Sequence, residues 1–110
     1  MDICFRRGDD LHRAAQLTFK NMHQYYQQFA PAWDVAKVFE VTKNLKNYDL
    51  LFQGEVAGIM RLQFEADCCY LRDLQVTPTL QNKGIGNAAI HEAKRQALDA
   101  KMNTVQLRVF

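Results

Sequence analysis

Several features that would place this chain in a special class are missing from its sequence. No apolar run approaches the roughly 18 residues that a membrane-spanning helix needs, and the N-terminus lacks a signal-peptide pattern. The net charge is only +2 and the basic residues are scattered, which argues against a nucleic-acid partner. The sequence therefore predicts a cytoplasmic protein that binds neither a membrane nor nucleic acid.

Cysteine is also scarce, and its arrangement argues against a disulfide framework or a metal site. The chain has three cysteines, of which Cys68 and Cys69 are adjacent in an apolar run. Adjacent cysteines seldom bridge each other, and no metal-ligand spacing is present. We interpret all three as reduced thiols and expect no metal. The 110 residues contain no repeats, low-complexity segments or linkers, which predicts one domain over residues 1–110.

The most informative feature that the sequence does contain is the segment 74–86, Leu-Gln-Val-Thr-Pro-Thr-Leu-Gln-Asn-Lys-Gly-Ile-Gly. An apolar strand runs into a turn at Pro78, and a polar loop with Gly84 and Gly86 then leads into an amphipathic helix. Such a loop places free backbone N–H groups at the positive end of a helix dipole. The segment therefore predicts a phosphate-binding site.

Other glycine loops fit this segment less well. The stretch 84–89 matches G-x-G-x-x-A, but seven residues separate Val76 from Gly84 and the next apolar run does not end in an acid. A dinucleotide loop needs its glycine almost directly after the strand and an acid about 20 residues on. A Walker loop needs Gly-Lys-Ser/Thr, whereas Lys83 here precedes the glycine. The remaining alternative is a glycine-rich turn that only starts a helix.

Hydrophobic periodicity along the chain predicts alternating strands and helices. The predicted elements are a strand 3–6, a helix 9–22, an aromatic and polar segment 23–34 broken by Pro31, a second helix capped by Asp34, strands 48–53, 56–64 and 68–76, a helix 84–101 and a strand 104–110. Gly54-Glu55 is predicted as the tight turn between strands 48–53 and 56–64. One face of the helix 84–101 carries a buried stripe of Ile85, Ala89, Ala93 and Ala97, which Ile90 and Leu98 are expected to widen. The last strand should lie parallel to strand 68–76 because a helical crossover joins them. The predicted fold class is α+β with a mixed sheet, in the order β-α-α-β-β-β-α-β.

The spacing Gln81-x-x-Gly84-x-Gly86, after a strand ending Leu74-x-Val76-x-Pro78, resembles the acyl-CoA pyrophosphate loop of the GNAT superfamily of N-acetyltransferases. The element order is similar to the first four-fifths of that fold. In the family a further helix and a closing β-hairpin follow, and they often carry an Asn that contacts the cofactor and a Tyr that protonates the thiolate. The sequence has no segment that matches them. We therefore expect either a fragment or a naturally short variant.

The resemblance implies transfer of an acetyl group from acetyl-CoA to a primary amine by direct attack. The alternative is a non-catalytic CoA-binding or protein-interaction module. The backbone at Leu74 is expected near the thioester oxygen, Val76 along the pantetheine arm, and Gln81 as a brace for the loop. Lys83 adds charge near the phosphates or is an ordinary surface lysine. The implied cofactor-binding residues are Leu74, Val76, Gln81, Asn82, Lys83, Gly84, Ile85, Gly86 and Asn87.

The general base is left open by the sequence. Asp73 directly precedes Leu74, at a position that is often acidic in the family, so Asp73 and Leu74 are the candidate catalytic residues. A structural carboxylate, or proton removal through water, explains Asp73 equally well. Strand alternation places Tyr70, Arg72 and Leu74 on one face and Asp73 on the other.

The acceptor site is expected in the segment 23–34, because the connection between the first two helices covers the substrate cleft in the family. This segment contains Tyr25, Tyr26, Phe29 and Trp33, whose rings suit a small-molecule or peptide amine through cation–π contacts. The alternative is that these rings pack on the core. The acceptor itself is not identified by the sequence.

The final strand suggests self-association. Residues 104–110 carry Val105, Leu107 and Val109 on one face, and the family's later strands, which pair with the outer edge of this strand, are absent. Such an edge presents unpaired backbone groups beside apolar side chains. The sequence therefore predicts a homo-oligomer through residues 104–110, and the alternative is a monomer whose last strand frays.

Overall fold

A computed structural model describes residues 2–107 of the chain as a mixed β-sheet with helices on both faces. The elements are β1 (Ile3–Arg7), α1 (Leu11–Phe29), α2 (Val35–Thr42), β2 (Lys46–Phe52), β3 (Glu55–Glu65), β4 (Cys68–Val76), a single 3-10 turn (Pro78–Leu80), α3 (Ile85–Asp99) and β5 (Thr104–Leu107). The strand order is β1-β2-β3-β4-β5, with β4 and β5 parallel and the other neighbours antiparallel. The predicted fold class, element order and parallel final strand are confirmed.

Helix α1 is longer than predicted, and this changes the region assigned to the acceptor. The prediction of a helix over 9–22 was wrong: the Asp10 side chain caps the helix by accepting from the Arg13 N–H, and the helix continues to Phe29. Residues 23–29 contain no Gly or Pro, and Tyr26 extends the buried stripe, so nothing ends the helix before Pro31. The connection between α1 and α2 is therefore only residues 30–34, and it ends at the predicted cap Asp34.

Helix α3 covers one face of the sheet with a stripe of small residues. Ala89, Ala93 and Ala97 are buried against the sheet, in the same apolar cluster as Met60 and Leu62. This stripe, which begins at the predicted Ile85, is confirmed. The expectation that Ile90 and Leu98 widen it was wrong, because both are exposed, Leu98 by 75%. Alanine lets the helix lie close to the strands, so larger residues beside the stripe face solvent.

A β-bulge in β4 sets the direction of the side chains near the glycine loop. Leu62 pairs with Leu71 and Arg61 pairs with Asp73, so the strand has one extra residue at Arg72. After the bulge, Leu74 lies on the α3 side together with Leu71, and Asp73 lies on the α1 side. The prediction that Asp73 and Leu74 face opposite ways is confirmed. The prediction that Tyr70 shares a face with Leu74 was wrong, because the bulge resets the alternation.

Two further expectations concern the last strand and the turn between β2 and β3. Pairing of β4 with β5 runs from Cys68–Thr104 to Leu71–Leu107, and the predicted strand residues 108–110 lie outside the described part of the chain. The hairpin between β2 and β3 turns at Gln53 and Gly54, both with positive φ, one residue earlier than predicted.

Within residues 2–107, no helix has both the length and the hydrophobicity needed to cross a bilayer.

Candidate functional site

A groove opens between α1 and the N-terminal end of α3, along the last residues of β4. Its volume is about 420 Å³. Six of the nine predicted cofactor-binding residues line it: Leu74, Val76, Gln81, Asn82, Ile85 and Gly86. Lys83, Gly84 and Asn87 are exposed beside it on the same loop and helix start. The predicted loop and the predicted strand end thus meet at one cavity.

The groove also has walls that the sequence analysis missed. Asn21 and Met22 come from α1, Gln75 from β4 and Leu80 from the 3-10 turn. Asn21 lies more than 50 residues in sequence from its partners Gln75 and Val76, and no local pattern marks such a contact. Only the packing of α1 across the sheet brings it there.

The loop has the backbone conformation that a phosphate site at a helix start requires. Gly84 precedes α3 with φ +83°, a left-handed conformation, and Asn82 has φ +62°. A Cβ at Gly84 would meet nothing within 4 Å, so glycine is needed there for its φ rather than for space. Within residues 2–107 no side chain caps α3, which leaves its first-turn N–H groups directed at the groove end.

The outer edge of β4 already carries side-chain partners at Val76. Asn21 Nδ2 donates to the Val76 carbonyl at 3.0 Å, and Gln81 Nε2 donates to the same oxygen at 3.1 Å. Asn21 also donates to Gln75 Oε1 at 3.1 Å. The Gln81 contact joins the loop back to the strand, which is the geometry that its predicted bracing role needs. A carbonyl has two lone pairs, so both are used at Val76.

Asp73 lies at the centre of a buried hydrogen-bond network. One carboxylate oxygen accepts from Arg61, and the other accepts from the Leu74 N–H at 2.9 Å and from Gln75 Nε2 at 2.8 Å. The side chain is almost fully buried. The Leu74 N–H, predicted to face the thioester oxygen, is therefore held by the neighbouring carboxylate in this structure.

Arg61 is the largest fully buried side chain of the described chain, with 0% exposure. Its Nε donates to Asn47 Oδ1 at 3.0 Å and its Nη1 donates to Thr18 Oγ1 at 2.7 Å, in addition to Asp73. Its Nη2 has no hydrogen-bond partner within residues 2–107. Burial lowers the pKa of the Arg61 guanidinium, and the Asp73 charge opposes that shift. Each of these two buried charges therefore needs the other as its counter-charge, so the pair is mutually required.

The four predicted acceptor residues divide into two groups. Tyr26 is buried and Trp33 half-buried in the cluster between α1 and α2, with ring centroids 5.4 Å apart. Burial raises the pKa of Tyr26, and the Asp73 charge raises it further, so its hydroxyl stays protonated. Tyr25 and Phe29 are exposed by 48% and 63%, with ring centroids 4.9 Å apart. Tyr26 and Trp33 therefore pack between the helices, whereas Tyr25 and Phe29 form an exposed aromatic pair.

Comparison with known proteins gives this geometry a family. The sequence model of the acetyltransferase (GNAT) family matches residues 9–110. The chain belongs to this family. No curated protein gives a significant sequence match.

Solved structures share the fold at low identity. A protein from Pyrococcus furiosus described as an acetyl transferase is 17% identical, with a TM-score of 0.77 over 99% of this chain and 83% of its own. A ribosomal-protein-alanine N-acetyltransferase from Brucella melitensis is 15% identical, with a TM-score of 0.66 over 99% and 79%. An aminoglycoside acetyltransferase from an uncultured soil sample is 14% identical, with a TM-score of 0.67 over 98% and 80%. The last two names give different acceptors, so the shared fold does not select one.

Proposed function

We propose that residues 1–110 form a single acyl-CoA-binding domain that transfers an acetyl group from acetyl-CoA to a primary amine by direct attack. The observation that carries this proposal is the groove, which joins the outer edge of β4 to the uncapped start of α3. Family membership supports acetyl transfer in general.

The residues of the groove suit two parts of acetyl-CoA, the pyrophosphate and the pantetheine arm. The first-turn amides from Gly84 to Asn87 suit the pyrophosphate, and the exposed Lys83 adds charge there. The strand edge from Leu74 to Val76 suits the pantetheine arm, which would run along it as an added strand does and meet the Leu74 N–H, while the Val76 carbonyl keeps Asn21 and Gln81 as donors. Bound acetyl-CoA supplies an activated acetyl carbonyl with a thiolate leaving group.

Leu74 and Asp73 have linked roles in this mechanism. The attacking amine would form a C–N bond with the thioester carbon, and negative charge would develop on the thioester oxygen. The C–S bond would then break, and the CoA thiolate would leave and take a proton from water. The Leu74 N–H stabilises that charge once it exchanges the Asp73 carboxylate for the thioester oxygen. Asp73 keeps Arg61 and Gln75 as partners. The Asp73 carboxylate is buried and already occupied by these donors, which favours removal of the amine proton through water, with Asp73 positioning Leu74.

The acceptor site in this proposal lies where α1 ends, with the exposed Tyr25 and Phe29 as its surface and with Tyr26 and Trp33 in the packed cluster beside it. A small-molecule or a peptide amine fits this description. The runner-up function, a non-catalytic CoA-binding or interaction module, is favoured by one observation: side chains already satisfy the Leu74 N–H and the Val76 carbonyl.

Association and location stay predictions from the sequence. β5 lies at one end of the strand order, so its outer edge has no partner strand within residues 2–107. This supports association through residues 104–110. A cytoplasmic location is expected as before.

The loop assignment is tested by Gly84→Val. A β-branched residue is strained at φ +83°, so the loop should leave the conformation that directs its amides at a phosphate. We expect acetyl-CoA affinity, measured by calorimetry, to fall by more than about tenfold, the loss of one or more charge-assisted hydrogen bonds. Circular dichroism should show an intact fold.

Gly54→Val is the matched control. Gly54 has φ +82° and the same open surroundings, but it lies in the β2–β3 turn and does not line the groove. Its replacement should cause a similar loss of stability with unchanged affinity. A folded Gly84→Val protein that binds acetyl-CoA as tightly as the wild type would refute the loop assignment.

A further inference from the structure

We propose that the acceptor is a primary amine with a single positive charge on an aromatic or apolar body, and that Tyr25 and Phe29 bind this body. This inference rests on the proposed acetyltransferase function and names its substrate class. We refer to the exposed pair Tyr25 and Phe29 as the aromatic platform.

The aromatic platform continues a wall of the acetyl-CoA groove. Asn21, which lines the groove and donates to the Val76 carbonyl, is followed on α1 by Tyr25 and Phe29 at four-residue steps. Residues four apart share one helix face. At 1.5 Å per residue the two rings begin about 6 Å and about 12 Å along the axis from Asn21. An aromatic ring that lies on Tyr25, the nearer of the two, can direct its amine toward the groove on a short alkyl chain.

The platform is not needed for the packing of α1 on α2. That contact is made by Tyr26, Val38 and Ala15, with Phe19 and Trp33 against them. Tyr25 contacts Phe29 and also meets the edge of the Tyr26 ring, with centroids 6.2 Å apart, but about half of Tyr25 and most of Phe29 stay exposed. A single exposed aromatic residue needs no explanation, but two in contact beside a groove form a surface that a ligand can cover.

The charge around the platform argues against a polycation. From Asn21 to Trp33 the sequence contains no Asp, Glu, Lys or Arg. The carboxylates that follow are engaged: Asp34 caps α2 through the Lys37 N–H, and Glu40 pairs with Lys43 at 2.9 Å.

The groove offers no better partner for several cations. Asp73 is buried against Arg61. An acceptor with several ammonium groups would lose their hydration here without gaining carboxylates, which is unfavourable. One amine on an apolar body avoids that penalty and gains from covering the rings.

Transfer assays with three amines test the inference. Thiol release from acetyl-CoA is followed with 2-phenylethylamine, spermidine and kanamycin. We expect kcat/KM for 2-phenylethylamine to exceed the values for both polycations by about tenfold or more, the usual worth of covering an aromatic ring. A tripeptide that begins with phenylalanine is compared with 2-phenylethylamine. The higher kcat/KM of the two shows whether a small-molecule amine or a peptide N-terminus is the better acceptor.

Variants of the platform give the second readout. The double variant Tyr25→Ala/Phe29→Ala should raise KM for 2-phenylethylamine by about tenfold and leave the Kd for CoA unchanged. Leu98→Ala is the control, because it removes an even more exposed apolar side chain from α3. It should leave KM unchanged.

The outcomes separate this inference from the proposed function. Preference for spermidine or kanamycin, or a wild-type KM in the double variant, overturns the acceptor class while transfer itself stands. Failure of the wild type to bind acetyl-CoA overturns the proposed function. Binding without transfer to any amine overturns both and supports the non-catalytic module.

Discussion

The two faces of the β-sheet are built from different chemistry. Three successive residues of β3, Met60, Arg61 and Leu62, are all fully buried. Met60 and Leu62 join the apolar cluster under α3, whereas Arg61 lies under α1 among polar partners. The α3 face is stabilised by burial of apolar area, whereas the α1 face also buries charges that are tolerated only when they are paired.

This difference indicates what each face is for. A buried ion pair is a poor source of stability, because desolvation of both charges cancels much of their attraction. On the α1 face the pair fixes Asp73, and Asp73 in turn holds the Leu74 N–H and the Gln75 amide at the groove. We infer that the α3 face mainly stabilises the fold and that the α1 face mainly orients the polar groups of the groove.

The largest expected effect comes from breaking the ion pair. Asp73→Ala leaves Arg61 buried without a counter-charge, so the free energy of unfolding should fall by about 3–5 kcal/mol. Urea denaturation measures this. The double variant Arg61→Met/Asp73→Leu removes both charges and should recover most of the loss. A loss of less than about 1 kcal/mol in Asp73→Ala would contradict a mutually required pair.

Asp73→Asn then distinguishes a base from a positioning residue. A base would show lower turnover at saturating acceptor and an altered pH profile. A positioning role predicts lower stability and a pH profile of unchanged shape.

On the apolar face the expected effect is smaller and comes from overpacking. Ala93 is fully buried where α3 meets the sheet, so Ala93→Leu should lower the free energy of unfolding by about 1–3 kcal/mol. Lys94→Leu, at an exposed position of the same helix, is the control and should change stability by less than about 0.5 kcal/mol. Equal stability of the two variants in urea would show that the helix does not lie close to the strands.

The apolar face was largely predictable from the sequence, because helical periodicity encodes it locally. Ile85, Ala89, Ala93 and Ala97 recur at helical spacing, and they form the buried stripe. The same periodicity could not show that Leu98 lies outside the stripe, since a helix on a flat sheet buries only a narrow strip.

The polar face could not be predicted in this way. Arg61 and Asp73 meet because of strand register, and the bulge at Arg72 decides which side Asp73 faces. No local pattern states either fact. The end of α1 was missed for a related reason. Tyr26 packs against α2, and this contact keeps the residues after Met22 in the helix, but no local sequence pattern shows it. The glycine loop was found because backbone conformation at Gly84 restricts residue type directly.

The smallest expected effect concerns Asn21, which joins α1 to the outer edge of β4. Asn21→Ala removes hydrogen bonds to the Gln75 side chain and the Val76 carbonyl. The groove wall beside the pantetheine arm should then loosen, and CoA should bind about three- to tenfold more weakly, the worth of about 0.5–1.5 kcal/mol. Adenosine 3′,5′-bisphosphate, which lacks pantetheine, should bind unchanged, because in the proposed binding mode its 5′-phosphate meets the loop that starts α3 and not the strand edge.

Two comparisons make the Asn21 prediction decisive. Gln24→Ala, at an exposed position of α1, should change neither affinity in calorimetry. Equal weakening of both ligands by Asn21→Ala would mean that the polar face acts on the whole loop rather than on the strand edge. Tighter binding of CoA would mean that Asn21 competes with pantetheine for the Val76 carbonyl. Since Gln81 donates to the same oxygen, the carbonyl stays satisfied in the variant, and we expect the loss of the wall to outweigh any release of the carbonyl.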